Sequence, residues 1–306
     1  MTRRTRPGCS RALQYGAGTS VLVLLVCALI AGLSVWTLVT VGGEVAGATA
    51  RAHGEVIGAA GRTVEVRWPQ PGAQRTDTVA LAVPAPPVGA RTEVAYDPRE
   101  PSTVFIPGST ELAAMDRAAS GLAFSGLVAA VVLGTGGWQL ISRRRLHRQP
   151  GQRESVRRVR VQSGLLTRSW LELDSAPRWI PVHFDPVLLT LPAPTSVQLH
   201  GDPQRHRLVA AQVGGTWLYP SGPVRAHEPR EPRIDNPAQP DALPTTAGFG
   251  WRRQLRANAG LLTLAPVVGL LWAFLDGGGI LTWACTTALT AAIALWWAAI
   301  RGSDPT

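Results

Sequence analysis

Apolar residues in this chain are gathered into long unbroken blocks. Four blocks, at 20–41, 118–141, 257–275 and 280–300, are 22, 24, 19 and 21 residues long and contain no Asp, Glu, Arg or His. A helix rises about 1.5 Å per residue, so each block can cross a hydrocarbon layer roughly 30 Å thick. The pattern therefore predicts four transmembrane helices. Pro266, midway in the third block, predicts a kink there. Gly126, Ala130 and Gly134 recur at four-residue spacing on the second helix, which lets another helix approach closely, expected here to be one of the same chain.

Between the blocks the period shortens to two. In residues 42–117, short β-branched runs alternate with Gly and Pro, predicting strands at 54–59, 63–68, 77–83, 92–96 and 103–106. The alternation is clearest at Val64, Val66 and Trp68, which share one face. Fewer than about 60 residues bury only a modest core, so this piece is expected to lean on the membrane or a partner. Residues 142–226 predict seven strands, at 156–161, 170–173, 178–183, 187–191, 196–200, 207–213 and 217–219. The fold class expected is thus membrane α-helical, four transmembrane helices, plus two small all-β soluble domains, each barrel- or sandwich-like. A basic tail (1–19), a Pro-rich linker (227–256) and a short tail (301–306) complete the chain.

Charge then orients the helices, because arginines near membrane ends stay cytoplasmic. Arg3, Arg4, Arg6 and Arg11 precede the first block without any acid, which places the N-terminus inside. Segment 43–117 has seven arginines against nine acids, and is expected outside. Segment 142–256 has 18 arginines against nine acids and opens with Arg143, Arg144, Arg145 and Arg148, and is expected inside. The Asp276–Gly279 turn lacks arginine and Arg301 follows the last block, returning the C-terminus to the cytoplasm. Trp138, Trp251, Trp296 and Trp297 mark inner ends, and Trp272 and Trp283 approach the outer end, as indoles at headgroup level do. A bacterial plasma-membrane location follows. Ala46-Gly47-Ala48 offers a small-residue cleavage site, but the apolar run before it is longer than a signal-peptide core of roughly 7–15 residues, so retention is expected.

Composition narrows the chemistry. All 30 basic residues are arginine. With no lysine, a P-loop, a kinase-type site and Schiff-base catalysis are excluded. Such extreme arginine usage also fits a GC-rich genome, pointing to an actinobacterium. Cys27 and Cys285 lie inside apolar blocks and Cys9 in the basic tail, so no disulfide framework or zinc spacing forms.

Tyr96-Asp97-Pro98-Arg99-Glu100-Pro101, preceded by Val88-Gly89 and Thr92-Glu93-Val94-Ala95, reads first as a strand terminator. Bracketed by two apolar helices, it also resembles a family of actinobacterial multi-pass membrane proteins of unknown function, with a small extracytoplasmic β domain ending in a YDPxxP motif. The resemblance covers about residues 22–142, with Tyr96, Asp97, Pro98 and Pro101 matching. It implies a fold and a topology, a structural role for those four residues, and no activity. Leu218-Tyr219-Pro220-Ser221-Gly222-Pro223 likewise resembles actinobacterial membrane proteins of this layout.

No GxSxG, HExxH, GxGxxG after a strand or paired acidic motif occurs. The best polar cluster is His183, His200, Asp202 and His206 with Asp185, weak candidates for a divalent metal, set against solvated residues at strand ends. No cofactor is expected. Eight arginines between positions 143 and 160 are a topogenic signal first; the sharper reading is contact of Arg143, Arg144, Arg145 and Arg148 with anionic lipid, at roughly 1 kcal/mol each. Nucleic acid is not expected, since no aromatic residues interleave with them. The blocks lack ionisable residues, which argues against an ion or proton pathway. The expectation is a non-enzymatic envelope scaffold or accessory subunit whose partners are the lipid bilayer and other envelope proteins. The alternative is an inner-leaflet lipid-handling protein or enzyme that uses the inner β domain.

Overall fold

A computed structural model describes residues 11–234 and 250–306. Its elements run α1 (Arg11–Gly47), β1 (Ala50–Ala60), β2 (Thr63–Gln70), β3 (Ala73–Ala80), β4 (Arg91–Tyr96), β5 (Val104–Phe105), α2 (Thr110–Leu146), β6 (Gly151–Ser163), β7 (Leu166–Leu173) and β8 (Trp179–Val182). A 3-10 turn (Pro186–Leu189) follows, then β9 (Thr195–His200), β10 (Ala210–Val213), β11 (Thr216–Leu218), β12 (Arg233–Ile234), α3 (Trp251–Ala257), α4 (Ala259–Leu262), α5 (Ala265–Asp276) and α6 (Gly279–Ile300). Among the described residues four helical spans are long and apolar enough to cross a membrane: Leu13–Gly47, Thr110–Leu146, Ala259–Asp276 and Gly279–Ile300. Between and beside them are two curled antiparallel sheets.

The chain divides into two compact units, and α1, α2, α5 and α6 each contribute to both. One unit comprises Cys27–Ala129 and Ala273–Leu281. Its sheet has the order β3-β2-β1-β4-β5. Gly61, at φ +61°, turns β1 into β2, and Pro71 followed by Gly72 at φ +88° turns β2 into β3; proline fixes the first turn position and only glycine takes the second cheaply. Alternation then buries Val64, Val66 and Trp68 with Val56, Val79, Leu81, Val94, Tyr96 and Ile106. The Trp68 indole donates to Asp77 Oδ2 at 2.8 Å and packs 4.5 Å from the Tyr96 ring. The third strand, β3, covers Ala73–Ala80 rather than 77–83, because the Pro71-Gly72 turn fixes its register against β2 from Gln70↔Ala73 onward. Asp97 Oδ1 accepts the Arg99 amide at 2.7 Å, a turn held by the carboxylate. Ala48, Ala95 and Phe105 form a second cluster against which Val45 of α1 packs, so the small sheet leans on its own helix.

The other unit comprises the described residues of Met1–Val26, Ala130–Trp272 and Thr282–Thr306. Its sheet runs β11-β10-β9-β6-β7-β8, with β12 on β6. The long β6 pairs with β9 through Gly151–Val156 and with β7 through Val156–Ser163, which curls the sheet. One face of it buries Val156, Leu171, Leu173, Ile180, Val182, Leu188, Val197 and Leu199; the other buries Val159, Val161, Trp170 and Trp179.

Four expectations change. Residues 187–191 are not a strand: Asp185 Oδ1 accepts the Val187 amide at 3.1 Å and Pro186 opens a 3-10 turn that buries Leu188 and Leu189. A short apolar run after Asp-Pro is read better by its cap than by its hydrophobicity. The expected linker is partly structured, since Arg233–Ile234 ladders onto Val161 and Arg160 and α3 begins at Trp251; residues 235–249 lie outside the described residues. The third apolar block is a helical span, Ala259–Asp276, but not a continuous one. It is interrupted at Asn258 and again before Ala265, and Pro266 sits in the first turn of α5, where its missing N–H costs nothing. Finally, a Cβ added at Gly126 or Gly134 meets nothing within 4 Å, so the small-residue stripe of α2 is not used for packing by the described residues.

Gly54 supplies a test. A Cβ there would lie 2.6 Å from Val66 Cγ1 and 2.8 Å from Val94 Cγ2, in the middle of the small core. Gly54→Ala is expected to cost about 1–3 kcal/mol by overpacking, read as faster amide exchange across β1, β2 and β4 in the detergent-solubilised chain, while Gly126→Ala leaves that exchange unchanged.

Candidate functional site

The site is built at the end of α6. Gly302, at φ +73°, ends that helix: its amide bonds Ala299 O at 3.2 Å and the Ser303 amide bonds Ala298 O at 3.0 Å, the paired closure that a left-handed glycine permits. The chain then extends beside β7 beyond the end of β8. Ser303 bridges to Arg168, and the Asp304 amide donates to Thr167 O at 2.8 Å.

This docking is fixed by charge. Arg158 NH2 meets Asp304 Oδ2 at 2.7 Å with both side chains at 0% exposure. Ser169 Oγ donates to the same oxygen at 2.6 Å, while the Thr306 amide and hydroxyl donate to Oδ1 at 3.0 and 2.6 Å. Arg160 donates to Thr306 O at 2.5 Å. Burial pushes the Arg158 guanidinium down and the Asp304 charge opposes it. Two members of the arginine run therefore face inward, at 2% and 8% exposure. Residues 301–306, expected as a tail, are instead docked beside β7, with one isolated bridge at Ser303 and with 302–305 buried.

The same closure builds a polar cleft. Gln254 Nε2 donates to Ser303 O and Oγ, both at 3.2 Å; Ser303 Oγ donates to Asn258 Oδ1 at 2.7 Å; Asn258 Nδ2 donates to Tyr15 Oη at 2.9 Å. Gln254, Asn258 and Ser303 are all buried. Tyr15 stands edge-on to Trp251, ring centroids 5.3 Å apart, an approach that Gly18 makes possible since a Cβ there would lie 2.4 Å from the indole. His183 and Phe184 close the cleft from the β domain.

His183 is 6% exposed, and its amide donates to Tyr219 O at 2.9 Å. Burial, then the charges of Arg143 and Arg168, push its imidazole down to about 3, so the ring is neutral. Arg168 Nε donates to Arg301 O at 2.8 Å, placing a cation on the last carbonyls of α6, and NH2 donates to Ser221 Oγ at 3.3 Å. Burial and the Arg301 and Arg225 charges push Arg168 down to about 10, so it remains charged.

The four metal candidates are not brought together. His200 Nδ1 lies 3.2 Å from Gln149 O and Nε2 3.3 Å from Gln212 Oε1, its ring 4.3 Å from Trp217. Asp202 and His206 close a turn in which His206 Nδ1 accepts the Asp202 amide at 2.8 Å. Among the described residues no group of three or more His, Cys, Asp or Glu side chains is placed to hold a metal. Of the basic stretch, Arg144, Arg145 and Arg148 are exposed, whereas Arg143 turns over the Tyr219 ring, 5.1 Å from its centroid. His147 joins it there, Nε2 2.9 Å from Tyr219 Oη and its ring 4.1 Å from Trp217.

Sequence reading missed Tyr15, Arg158, Arg168, Gln254, Asn258, Ser303 and Asp304. Two signals were present: Gly302 directly after an apolar helix, and Arg158 and Arg160 in step with Val156 on one strand face. Comparison with protein families, curated proteins and solved structures finds no match for this chain.

Two outcomes follow. Asp304→Ala leaves a buried guanidinium uncompensated and is expected to cost about 3–5 kcal/mol, read as a lowered thermal midpoint of the solubilised protein; adding Arg158→Leu recovers much of it. For His183, the unfolded chain binds a proton near pH 6.5 and the native chain only near about 3. Its contribution is present above pH 6.5 and is lost as pH falls through that window. His183→Phe is therefore expected to lose less stability than wild type between pH 6.5 and 4, measured by thermal unfolding.

Proposed function

We propose that this chain is a multi-pass protein of a bacterial plasma membrane, an actinobacterial one, with both termini cytoplasmic and a non-enzymatic role as an envelope scaffold or accessory subunit. The observation that supports it most is the buried Arg158–Asp304 contact, which fastens the β6–β7 sheet directly to the end of an apolar helix. A scaffold needs its binding surface held in a fixed orientation on its anchor, and this contact supplies that rigidity. The small β1–β5 sheet is tied to α1 in the same spirit through Val45. Charge distribution supports residues 43–117 outside and 142–256 inside. Membership in the YDPxxP family fits the Tyr96–Asp97 turn, where Tyr96 is core and Asp97 caps.

The second reading, an inner-leaflet lipid-handling protein or an enzyme using the inner β domain, is favoured by one specific feature, the cleft at His183. Partner capture separates the two. Mild-detergent purification of crosslinked cells is expected to return the same protein partners reproducibly, and to lose them when exposed positions on the two sheets are replaced. Recovery of lipid alone contradicts the scaffold. Orientation is tested in a cysteine-free background: Thr78→Cys is expected to react with an impermeant maleimide in intact cells, and Arg205→Cys only after permeabilisation. The reverse pattern overturns the topology.

A further inference from the structure

The outermost strand of a sheet carries a row of unpaired N–H and C=O groups, which proteins ordinarily blunt with short length, proline, a bulge or a covering segment. Among the described residues, three of the four strands that end the two sheets are blunted. β5 is two residues long and β11 three, and β8 is covered where Trp179 bridges to Arg225 and Val182 to Pro220. The fourth, β3, is open. It runs eight residues, Ala73–Ala80, without proline, and its pairing with β2 is unbroken from Gln70↔Ala73 to Thr63↔Ala80. Phase decides which of its groups face outward. The Leu81 amide still reaches back to Arg62 O at 2.7 Å, whereas the Ala82 amide turns the other way, to Gly108 O at 2.9 Å. Bonding alternates between neighbouring residues of an antiparallel ladder, so odd positions of β3 bond β2, while Gln74, Thr76 and Thr78 point their N–H and C=O away from it. Among the described residues no further backbone bond reaches those three, and all three are exposed.

Charge selects what fits that edge. An antiparallel copy of β3 can meet it about a two-fold axis at Arg75, at Thr76 or at Asp77. Centring at Arg75 or Asp77 sets like charges directly opposite each other, which is unfavourable. Centring at Thr76 sets Thr76 opposite itself, Gln74 opposite Thr78 and each Arg75 opposite an Asp77, and it is also the register in which the outward N–H and C=O groups exchange. Arg75 and Asp77 already pair within the chain at 3.4 Å, with side chains 33% and 18% exposed, and Asp77 is held in place by the Trp68 indole. A second copy extends that pair into an alternating network of guanidiniums and carboxylates. We propose that β3 pairs antiparallel with the β3 of a second copy of this chain, centred on Thr76. This goes beyond the scaffold reading and does not rest on it; it needs only two copies in one membrane.

The test uses the full chain in a cysteine-free background, in cell membranes and in lipid vesicles, with mild oxidation followed by non-reducing electrophoresis. Thr76→Cys is expected to give a disulfide-linked dimer, since residues opposite each other in a hydrogen-bonded pair lie about 5.5 Å apart at Cα, within disulfide reach. Chains carrying Gln74→Cys and Thr78→Cys are expected to link when mixed. Thr78→Cys alone is expected not to, because its counterpart lies about 14 Å along the strand. Thr76→Pro, added to the mixed chains, removes only an outward N–H, so the thermal midpoint is expected to hold while linking falls to background. Arg75→Asp sets like charges opposite and is expected to lower linking about tenfold. The proposal is overturned if Thr76→Cys gives no dimer, if Thr78→Cys alone links as readily, or if folded Thr76→Pro or Arg75→Asp chains link as well as those without the change. Linking of β3 to a different protein in cell membranes, and not to itself, also overturns it.

Discussion

A guanidinium and a carboxylate taken fully out of water set the terms for the rest of the larger unit. Each ion alone would cost several kcal/mol to bury, and the pair is made tolerable by Ser169 and Thr306, which donate to the two Asp304 oxygens, and by Leu188 O, which accepts from Arg158, although the Arg158 Nε stays without a partner. That requirement brings residue 304 to residue 158 and dictates what lies between. Gly302 must reverse the chain two residues past α6, Ser303 must run along the free end of β7, and Gln254 on α3 and Asn258 at its end must reach Ser303. The interruption of the third apolar segment at Asn258 follows from this, since its side chain bonds Tyr15 and Ser303 at once.

The cleft is a by-product of that closure with consequences of its own. Where helix carbonyl ends, a tightly turned chain and a sheet edge converge, arginine is the residue able to meet them all, and Arg168 does so with Arg301 O and Ser221. A histidine in such a place stays neutral, because burial and two guanidiniums both oppose its protonation. Neutrality lets the ring donate without adding to the local repulsion between cations.

Legibility divides along local and non-local lines. The apolar helices were readable because block length alone decides them. The β2 face was readable because Val64, Val66 and Trp68 alternate without interruption. The Asp185-Pro186 turn and the places where the third helix is interrupted were misread because hydrophobicity was weighed above cap chemistry, and β12 because two residues paired to a distant strand carry no pattern of their own. The ion pair was invisible for a different reason: eight arginines between 143 and 160 look alike until the partner, 146 positions along the chain, selects one. Only the phase of Arg158 and Arg160 with Val156 hinted that some arginines point inward.

Hydrogen exchange of the full chain in lipid nanodiscs tests the central claim directly. If residues 302–306 are docked firmly on the sheet, the Asp304 and Thr306 amides, bonded to Thr167 O and Asp304 Oδ1, exchange as slowly as the β6–β7 ladder and open together with it. Exchange of those two amides at the rate of an unstructured peptide, with the ladder still protected, would contradict it.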